Sequence, residues 1–213
     1  MATVEKSEKV KSEEFAEIAK TIFAPIYPVL AEIILEKIPL RQGTCLDLGS
    51  GPGHLAIAMA NLSDFKVISF DLSPFAQEHA DENIKEAGLE EKVSTMQGDV
   101  HSLPFPDNSI DLIISRGSIF FWHNPEQVFR EAYRVLKPGS YSFIGGGFGT
   151  AELKNEIVNK MEAKYGDFKS NSKKRMSPEN IERLKNALAI SGAPIKYMER
   201  DEANIWFVIK KEI

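Results

Sequence analysis

Alternation of strand-like and helix-like segments predicts an α/β fold, with a central, mainly parallel sheet, helices on both faces and right-handed crossovers. Three observations carry this expectation. Cys45, Leu46 and Leu48 form a short apolar run that stops in Gly49, Gly51 and Gly53, and Leu55, Met59 and Leu62 then recur at helical spacing. That is a buried strand, a turn and a helix in succession. Strand followed by helix recurs at 66–70 and the segment after Pro74, and again at 111–115 and the segment after Pro125. Residues 195–200 and 204–211 alternate in the manner of a hairpin, which puts an antiparallel element at the end of the sheet.

The 213 residues, 43% of them hydrophobic, can bury the core of one domain with a terminal extension. A formal net charge of −5 offers no overall field for a nucleic-acid backbone and argues against that partner. No apolar run approaches the roughly twenty residues needed to span a bilayer, and the charged N-terminus is unlike a signal peptide, so a cytoplasmic location is expected. The single cysteine, Cys45, permits no internal disulfide and reads as core filler. No Cys/His cluster suggests a metal.

Taken in order, residues 1–11 are charged, lack apolar periodicity and read as a frayed tail. Two helical pieces follow, with Phe15, Ile18 and Ile22 on one face and Leu30, Ile33, Ile34 and Ile38 on another, broken by Pro25 and Pro28. The glycine turn after the first strand lets a ligand approach the main chain, and the helix start beyond it offers unpaired N–H groups. Its spacing, Gly49-x-Gly51-x-Gly53, differs from the GxGxxG of dinucleotide sites. Asp47, two residues before the turn, would repel a pyrophosphate but attract an ammonium. The next strand ends at Asp71, where a carboxylate can accept both hydroxyls of a ribose. Ser73-Pro74 then starts a helix whose Ala76, Ala80, Ile84 and Ala87 form a narrow sheet-facing stripe ending near Gly88. A third strand, Val93–Gln97, leads into Gly98-Asp99-Val100.

A ligand with an ammonium, a ribose and an adenine but no phosphate suits these groups, and S-adenosylmethionine is such a ligand. Four motifs occur in order: DLGSGPG at 47–53, FDLSP at 70–74, QGDVHSLPFPDNSIDLIIS at 97–115 and VFREAYRVLKPGSY at 128–141. With them the chain resembles the class I S-adenosylmethionine-dependent methyltransferases, especially the small-molecule branch that includes the quinone-biosynthesis methylases. The resemblance runs from about Ala24 to the C-terminus. It implies a Rossmann-like fold with a seven-stranded, mainly parallel sheet and an antiparallel C-terminal strand, and methyl transfer to a small-molecule acceptor. Residue by residue, it implies cofactor contacts from Asp47, Gly49, Ser50, Gly51, Gly53, Asp71, Leu72, Asp99, Val100 and Ser115. Asp99 would accept a hydrogen bond from the exocyclic amino group of adenine; its alternative is a plain turn carboxylate. In the family, N-terminal helices cover the cofactor and substrate, which makes Tyr27 either a lining residue or junction packing.

Substrates of open parallel sheets meet the carboxyl ends of the strands, so the segment after the fourth strand is where acceptor chemistry is expected. The (N/D)PPY motif of the family's nucleic-acid and amino-group methylases is missing from this position. Arg116 can grip a carboxylate or phosphate in a forked manner, or pair with a nearby acid. Phe120, Phe121 and Trp122 can supply an aromatic wall or join the core. His123, just before the Asn124-Pro125 helix start, is a general-base candidate or a cap-region histidine. The helix is expected to run through Leu136 until Pro138-Gly139 stops it, and a fifth strand to cover 141–144. Gly145, Gly146, Gly147 and Gly149 then read as a loop that admits substrate, hinges a lid or simply flexes. A helix near Ala151–Tyr165, a polar basic segment at 169–175 and a helix starting at Ser177-Pro178 precede the final hairpin.

The expected organisation is an N-terminal helical extension at 1–40 covering the site, and a methyltransferase domain at 41–213 with a helical cap at about 150–176. Two rival functions remain open on sequence grounds: an NAD(P)-dependent oxidoreductase, against which the glycine spacing and Asp47 argue, and a non-catalytic cofactor-binding or partner-binding module. Arsenite methylation relies on several cysteines, and this chain has one.

Overall fold

A computed structural model of the chain describes residues 2–213, and the surroundings of side chains from Ser7 onward. The strands are β1 (Gln42–Leu48), β2 (Asp64–Asp71), β3 (Val93–Gln97), β4 (Ile110–Arg116), β5 (Leu136–Gly147), β6 (Ile195–Arg200) and β7 (Asn204–Lys210). They form one seven-stranded sheet in the order β3-β2-β1-β4-β5-β7-β6, parallel from β3 to β5 and antiparallel where β7 pairs with β5 and with β6. The expected Rossmann-like sheet with its antiparallel terminal strand is the one the chain forms. Strand order reverses between β1 and β4, and that is where such sheets open a crevice at their carboxyl edge.

The helices are α1 (Ala2–Thr21), α2 (Ile26–Glu36), α3 (His54–Leu62), α4 (Pro74–Glu86), α5 (Pro125–Val135), α6 (Ala151–Tyr165), α7 (Phe168–Arg175) and α8 (Pro178–Ala189). Side chains alternate across the strands, so the sheet builds two cores. Cys45, Val67, Leu112, Ile114, Phe143 and Val208 pack under α1 to α4 and α6. Leu46, Leu48, Phe70, Ile113, Ile144 and Phe207 pack under α5 and α8. Local chemistry starts the helices where the sequence predicts. Ser73, Asn124 and Ser177 each accept a backbone N–H from three residues on, with proline in the first helical turn.

Three expectations are corrected, and one segment whose structure the sequence left open is found to be helical. Met1 lies outside the described residues, but 2–11 continue α1 instead of fraying: once the turns from Ile18 onward are anchored in the core, each preceding residue adds a helical hydrogen bond without a new nucleation cost. The basic stretch at 169–175 is helix α7, with Asp167 bonded to Asn171 at its start. Helix α5 ends at Val135, before Leu136, and Pro138 and Gly139 lie within β5. The glycines 145–147 are not a loop. They are the end of β5, paired with Trp206, Ile205 and Asn204 of β7. A Cβ on Gly145 would stand 2.0 Å from the Ile205 carbonyl oxygen, so glycine is needed there for the close approach of β7.

No single described helix is long and apolar enough to cross a membrane; α1 and α2 pass that test only as a pair, and the pair is bent by 74°. The apolar face of α2, including Leu30 and Ile34, is fully buried in the core.

Candidate functional site

The site begins at the end of β1. Gly49, Gly51 and Gly53 all take left-handed backbone angles, φ of +64°, +55° and +78°. Such angles disfavour any side chain, and the turn curls tightly from β1 into α3. Gly49 and Ser50 donate their N–H groups to the Phe70 carbonyl, which ties the turn to the end of β2. A Cβ on Gly53 would come within 3.2 Å of Ala80 Cβ, so its bareness lets α4 pack close.

Asp47 is buried on β1, and its Oδ2 has no hydrogen-bond partner among the described residues. Burial first, then the neighbouring charge of Asp71, push this carboxyl up to about 8, against an opposing hydrogen bond from the Ala56 N–H. A buried acid with an orphaned oxygen is costly unless something positive arrives to meet it. Asp71, at the end of β2, accepts the Gly51 N–H at 2.8 Å and the Ser73 N–H at 2.9 Å. Beside it Leu72 is 65% exposed, an apolar side chain left in solvent at the carboxyl edge.

Asp99 follows β3, the strand next to β2. Its Oδ1 accepts the His101 N–H at 2.9 Å and lies 2.6 Å from His101 Nδ1. The His101 backbone bond, foremost, holds its carboxyl below the usual range despite some burial. Val100 is buried behind it. This loop is fastened from outside: Arg134 donates to the Leu103 and Phe105 carbonyls and pairs with Glu131 and Asp107, while Glu131 accepts the Leu103 N–H. Ser115, at the end of β4, is fully buried with its hydroxyl on the Leu48 carbonyl at 2.7 Å, and Ser118 bonds the same oxygen at 3.0 Å. The carboxyl ends of β1 and β4 are thereby stitched together.

A cleft lined by Phe15, Tyr27, Asp47, Gly49, Ser50, Pro52, Leu55 and Arg116 lies over the turn. Two sequence-predicted acceptor residues, Tyr27 and Arg116, meet there; two do not. Trp122 is 7% exposed and packs with Ile119, Val128 and Phe129 in the core under α5. His123 stacks on His101 at 3.9 Å between ring centroids and lines a separate outer cleft with Glu126, Glu179 and Arg183. The 3-10 turn Ser118–Phe121 that follows β4 diverts both residues toward that face.

Sequence reasoning missed three aromatics and a histidine. Phe15, on α1, lines the cleft, while Phe23 from the α1–α2 junction and Phe148 from the segment after β5 stand against the Arg116 guanidinium, and only tertiary packing brings the three there. His54, the first residue of α3, stacks on Tyr27 at 5.3 Å between ring centroids, and its buried Nε2 has no partner among the described residues. Burial, helped by the charge of Lys20, holds its imidazole down to about 4, so the ring is neutral at neutral pH. Its position directly after the glycine turn was the available signal.

A sheet of this order, with acids at the ends of adjacent strands around a bare turn, defines a receptor for a small polar ligand at its carboxyl edge. Comparison with known proteins narrows that class. A family model described as "Methyltransferase domain" matches residues 46–144. A crystallised protein from Methanococcus maripaludis, classed as an S-adenosyl-L-methionine-dependent methyltransferase, is 43% identical with a TM-score of 0.92, over 96% of this chain and 94% of that one. The 27-O-demethylrifamycin SV methyltransferase of Amycolatopsis mediterranei is 32% identical over 117 residues, 54% of this chain and 43% of that protein. The 2-methyl-6-phytyl-1,4-hydroquinone methyltransferase 2 of Oryza sativa is 36% identical over 107 residues, 50% of this chain and 30% of that protein. The chain thus matches less than half the length of these two curated relatives. It belongs to the S-adenosylmethionine-dependent methyltransferases.

Proposed function

We propose that the protein binds S-adenosylmethionine across the carboxyl ends of β1, β2 and β3 and methylates a small molecule that enters beneath α1 and α2. The observation that carries this reading is Asp47: a buried carboxyl, one oxygen without a partner among the described residues, beside a turn left bare at Gly49, Gly51 and Gly53. That is the receptor an amino-acid ammonium needs: a cation there would favour the charged carboxylate that burial disfavours, whereas a pyrophosphate would gain nothing from it. The rest of the edge fits. Asp71 would accept hydrogen bonds from the ribose hydroxyls, in exchange for the one it now accepts from the Gly51 N–H. Leu72 would lose its exposure against adenine, and Asp99 would face the exocyclic amino group with Val100 behind. Gly49, Ser50, Gly51 and Gly53 would lie along the methionyl portion, with Ser115 holding the floor of the site in place.

When bound, S-adenosylmethionine supplies an electrophilic methyl: the acceptor's lone pair takes it, sulfur keeps the electrons of the broken bond, and any acceptor proton leaves to water. The chain's part is to position and to exclude solvent. Phe15 and Tyr27 line the cleft, and α1 and α2, which carry them, would act as its roof, with α6 and α7 as the neighbouring cap at 150–176. Tyr27, whose phenol is pushed up to about 12 chiefly by burial, stays neutral and adds no competing charge beside a sulfonium. His123, on the outer face, remains the more distant base candidate.

Calorimetry is the direct test. S-adenosylmethionine is expected to bind in the micromolar range, about −8 kcal/mol, with nicotinamide dinucleotides far weaker. Tighter NADH binding would replace this reading by the oxidoreductase one. Asp71→Ala should leave the protein folded and weaken cofactor binding about ten- to a hundredfold, since hydrogen bonds to a charged group contribute roughly 1.5 to 3 kcal/mol. Unchanged affinity in that variant would remove the ribose assignment.

A further inference from the structure

Arg116 ends β4 inside the cleft, and it is a cation without an acid. Arg130 and Arg134 pair with carboxylates, whereas among the described residues none lies within ion-pair distance of Arg116. Its Nε donates to the Gly147 carbonyl at 3.2 Å, which fixes the guanidinium plane, and Nη1 and Nη2 make no hydrogen bond to a described residue. Around it stand three aromatic rings: the guanidinium carbon lies 4.6 Å from the centroid of Phe23, 5.9 Å from Tyr27 and 5.7 Å from Phe148. Aromatic faces repay part of the cost of desolvating a cation, but the paired N–H groups of the Nη edge still lack acceptors.

Asp47 does not fill the vacancy. Both residues line the cleft with Tyr27, and among the described residues no hydrogen bond or ion pair joins them. An ammonium at Asp47 and an oxyanion at Arg116 would therefore be held by different groups of one cleft.

We infer that the methyl acceptor carries an oxyanion, a carboxylate or phosphate, which the Nη edge of Arg116 grips while Phe23, Tyr27 and Phe148 enclose the apolar remainder. This rests on the methyl-transfer reading above. The oxyanion is a handle and not the atom methylated, because a guanidinium draws charge from the oxygens it binds and makes them poorer nucleophiles. The product keeps its negative charge.

The test uses the full chain, methyl-labelled S-adenosylmethionine and host metabolite extract, with the products separated on an anion exchanger at neutral pH. Labelled product should be retained. Arg116→Gln should lower its formation at least about tenfold, the forked contact being lost. The same variant should bind S-adenosylmethionine within about threefold of the parent, since the cofactor's ammonium is assigned to Asp47 and no described bond joins Asp47 to Arg116. It should also melt no lower than the parent, since among the described residues no acid loses an ion-pair partner when the guanidinium is removed. Arg116→Lys, which keeps the charge without the fork, should recover only part of the activity. Labelled product that is neutral or cationic overturns the inference. So does a tenfold loss of cofactor affinity in Arg116→Gln, which would assign the fork to the methionyl carboxylate, or a lowered melting temperature in both variants, which would make Arg116 structural. Absence of any labelled product, whatever its charge, instead removes the methyl-transfer reading beneath it.

Discussion

Asparagine in place of Asp47 is expected to stabilise the unliganded protein and to abolish most of its affinity for cofactor. The folded carboxyl titrates at about 8 against an ordinary value of 3.8, because burial disfavours its charge. Between those values the folded chain holds a proton that the unfolded chain releases, so stability falls as pH rises through this window. Each unit costs about 1.4 kcal/mol, on the order of 5 kcal/mol in all once pH passes about 8. Asparagine resembles the protonated acid in shape and cannot ionise. The variant should melt like the parent near pH 4 and progressively higher than the parent up to about pH 8, with a constant gap beyond. Its loss of affinity should exceed a hundredfold, since removing one partner of a buried ion pair costs roughly 3 to 5 kcal/mol. Melting curves from pH 4 to 9 and calorimetry check the two halves separately. A gap that does not widen with pH would mean that the acid is not held protonated by the fold. Affinity within a few-fold of the parent would mean that no ammonium sits there.

Gly145→Ala is the second large effect, and it acts on the sheet instead of the ligand. The added methyl would meet the Ile205 carbonyl oxygen at 2.0 Å and the Trp206 Cα at 3.0 Å. Both obstacles are backbone, and β7 is hydrogen-bonded to β5 on one side and β6 on the other, so it cannot retreat without breaking pairs. Trp206, a nearly fully buried side chain, sits at the same position. A loss of about 3 kcal/mol or more is expected, and a melting temperature lower by roughly 6 to 12 °C for a chain of this size. Gly146→Ala is the control: its methyl would meet only the edge of the Phe120 ring at 3.0 Å, a side chain able to turn aside. If the two variants melt alike, the close approach of β7 is not what requires glycine at 145.

Those glycines mark where sequence reading stops. β3, α3 and the capped starts of α4, α5 and α8 were legible because their signals are local: apolar periodicity, a serine or asparagine cap, a proline in the first turn. Asp47, Asp71 and Asp99 were legible as acids closing successive strands, and the sheet does put them along one edge. A run of glycines carries two opposite meanings, a chain free to bend or a chain pressed against another backbone, and only the position of β7 decides between them. Trp122 and His123 follow Arg116 so closely that one shared site is the natural expectation, yet a single 3-10 turn sends them to the other face. The aromatic ring set around Arg116 joins the α1–α2 junction, which supplies Phe23 and Tyr27, to Phe148 after β5, and no spacing in the chain announces that pairing.

Phe15 has a consequence for any affinity measured at this site. Its Cε1 lies 3.1 Å from where a Cβ of Gly51 would stand, so the ring rests on the very backbone a ligand must reach. A ligand that lies along the turn would have to displace this ring. Were only a fraction of molecules to hold the ring aside, the observed dissociation constant would be the intrinsic one divided by that fraction. The affinity read for a free ligand would then report on the first helix as well as on the contacts of the site itself.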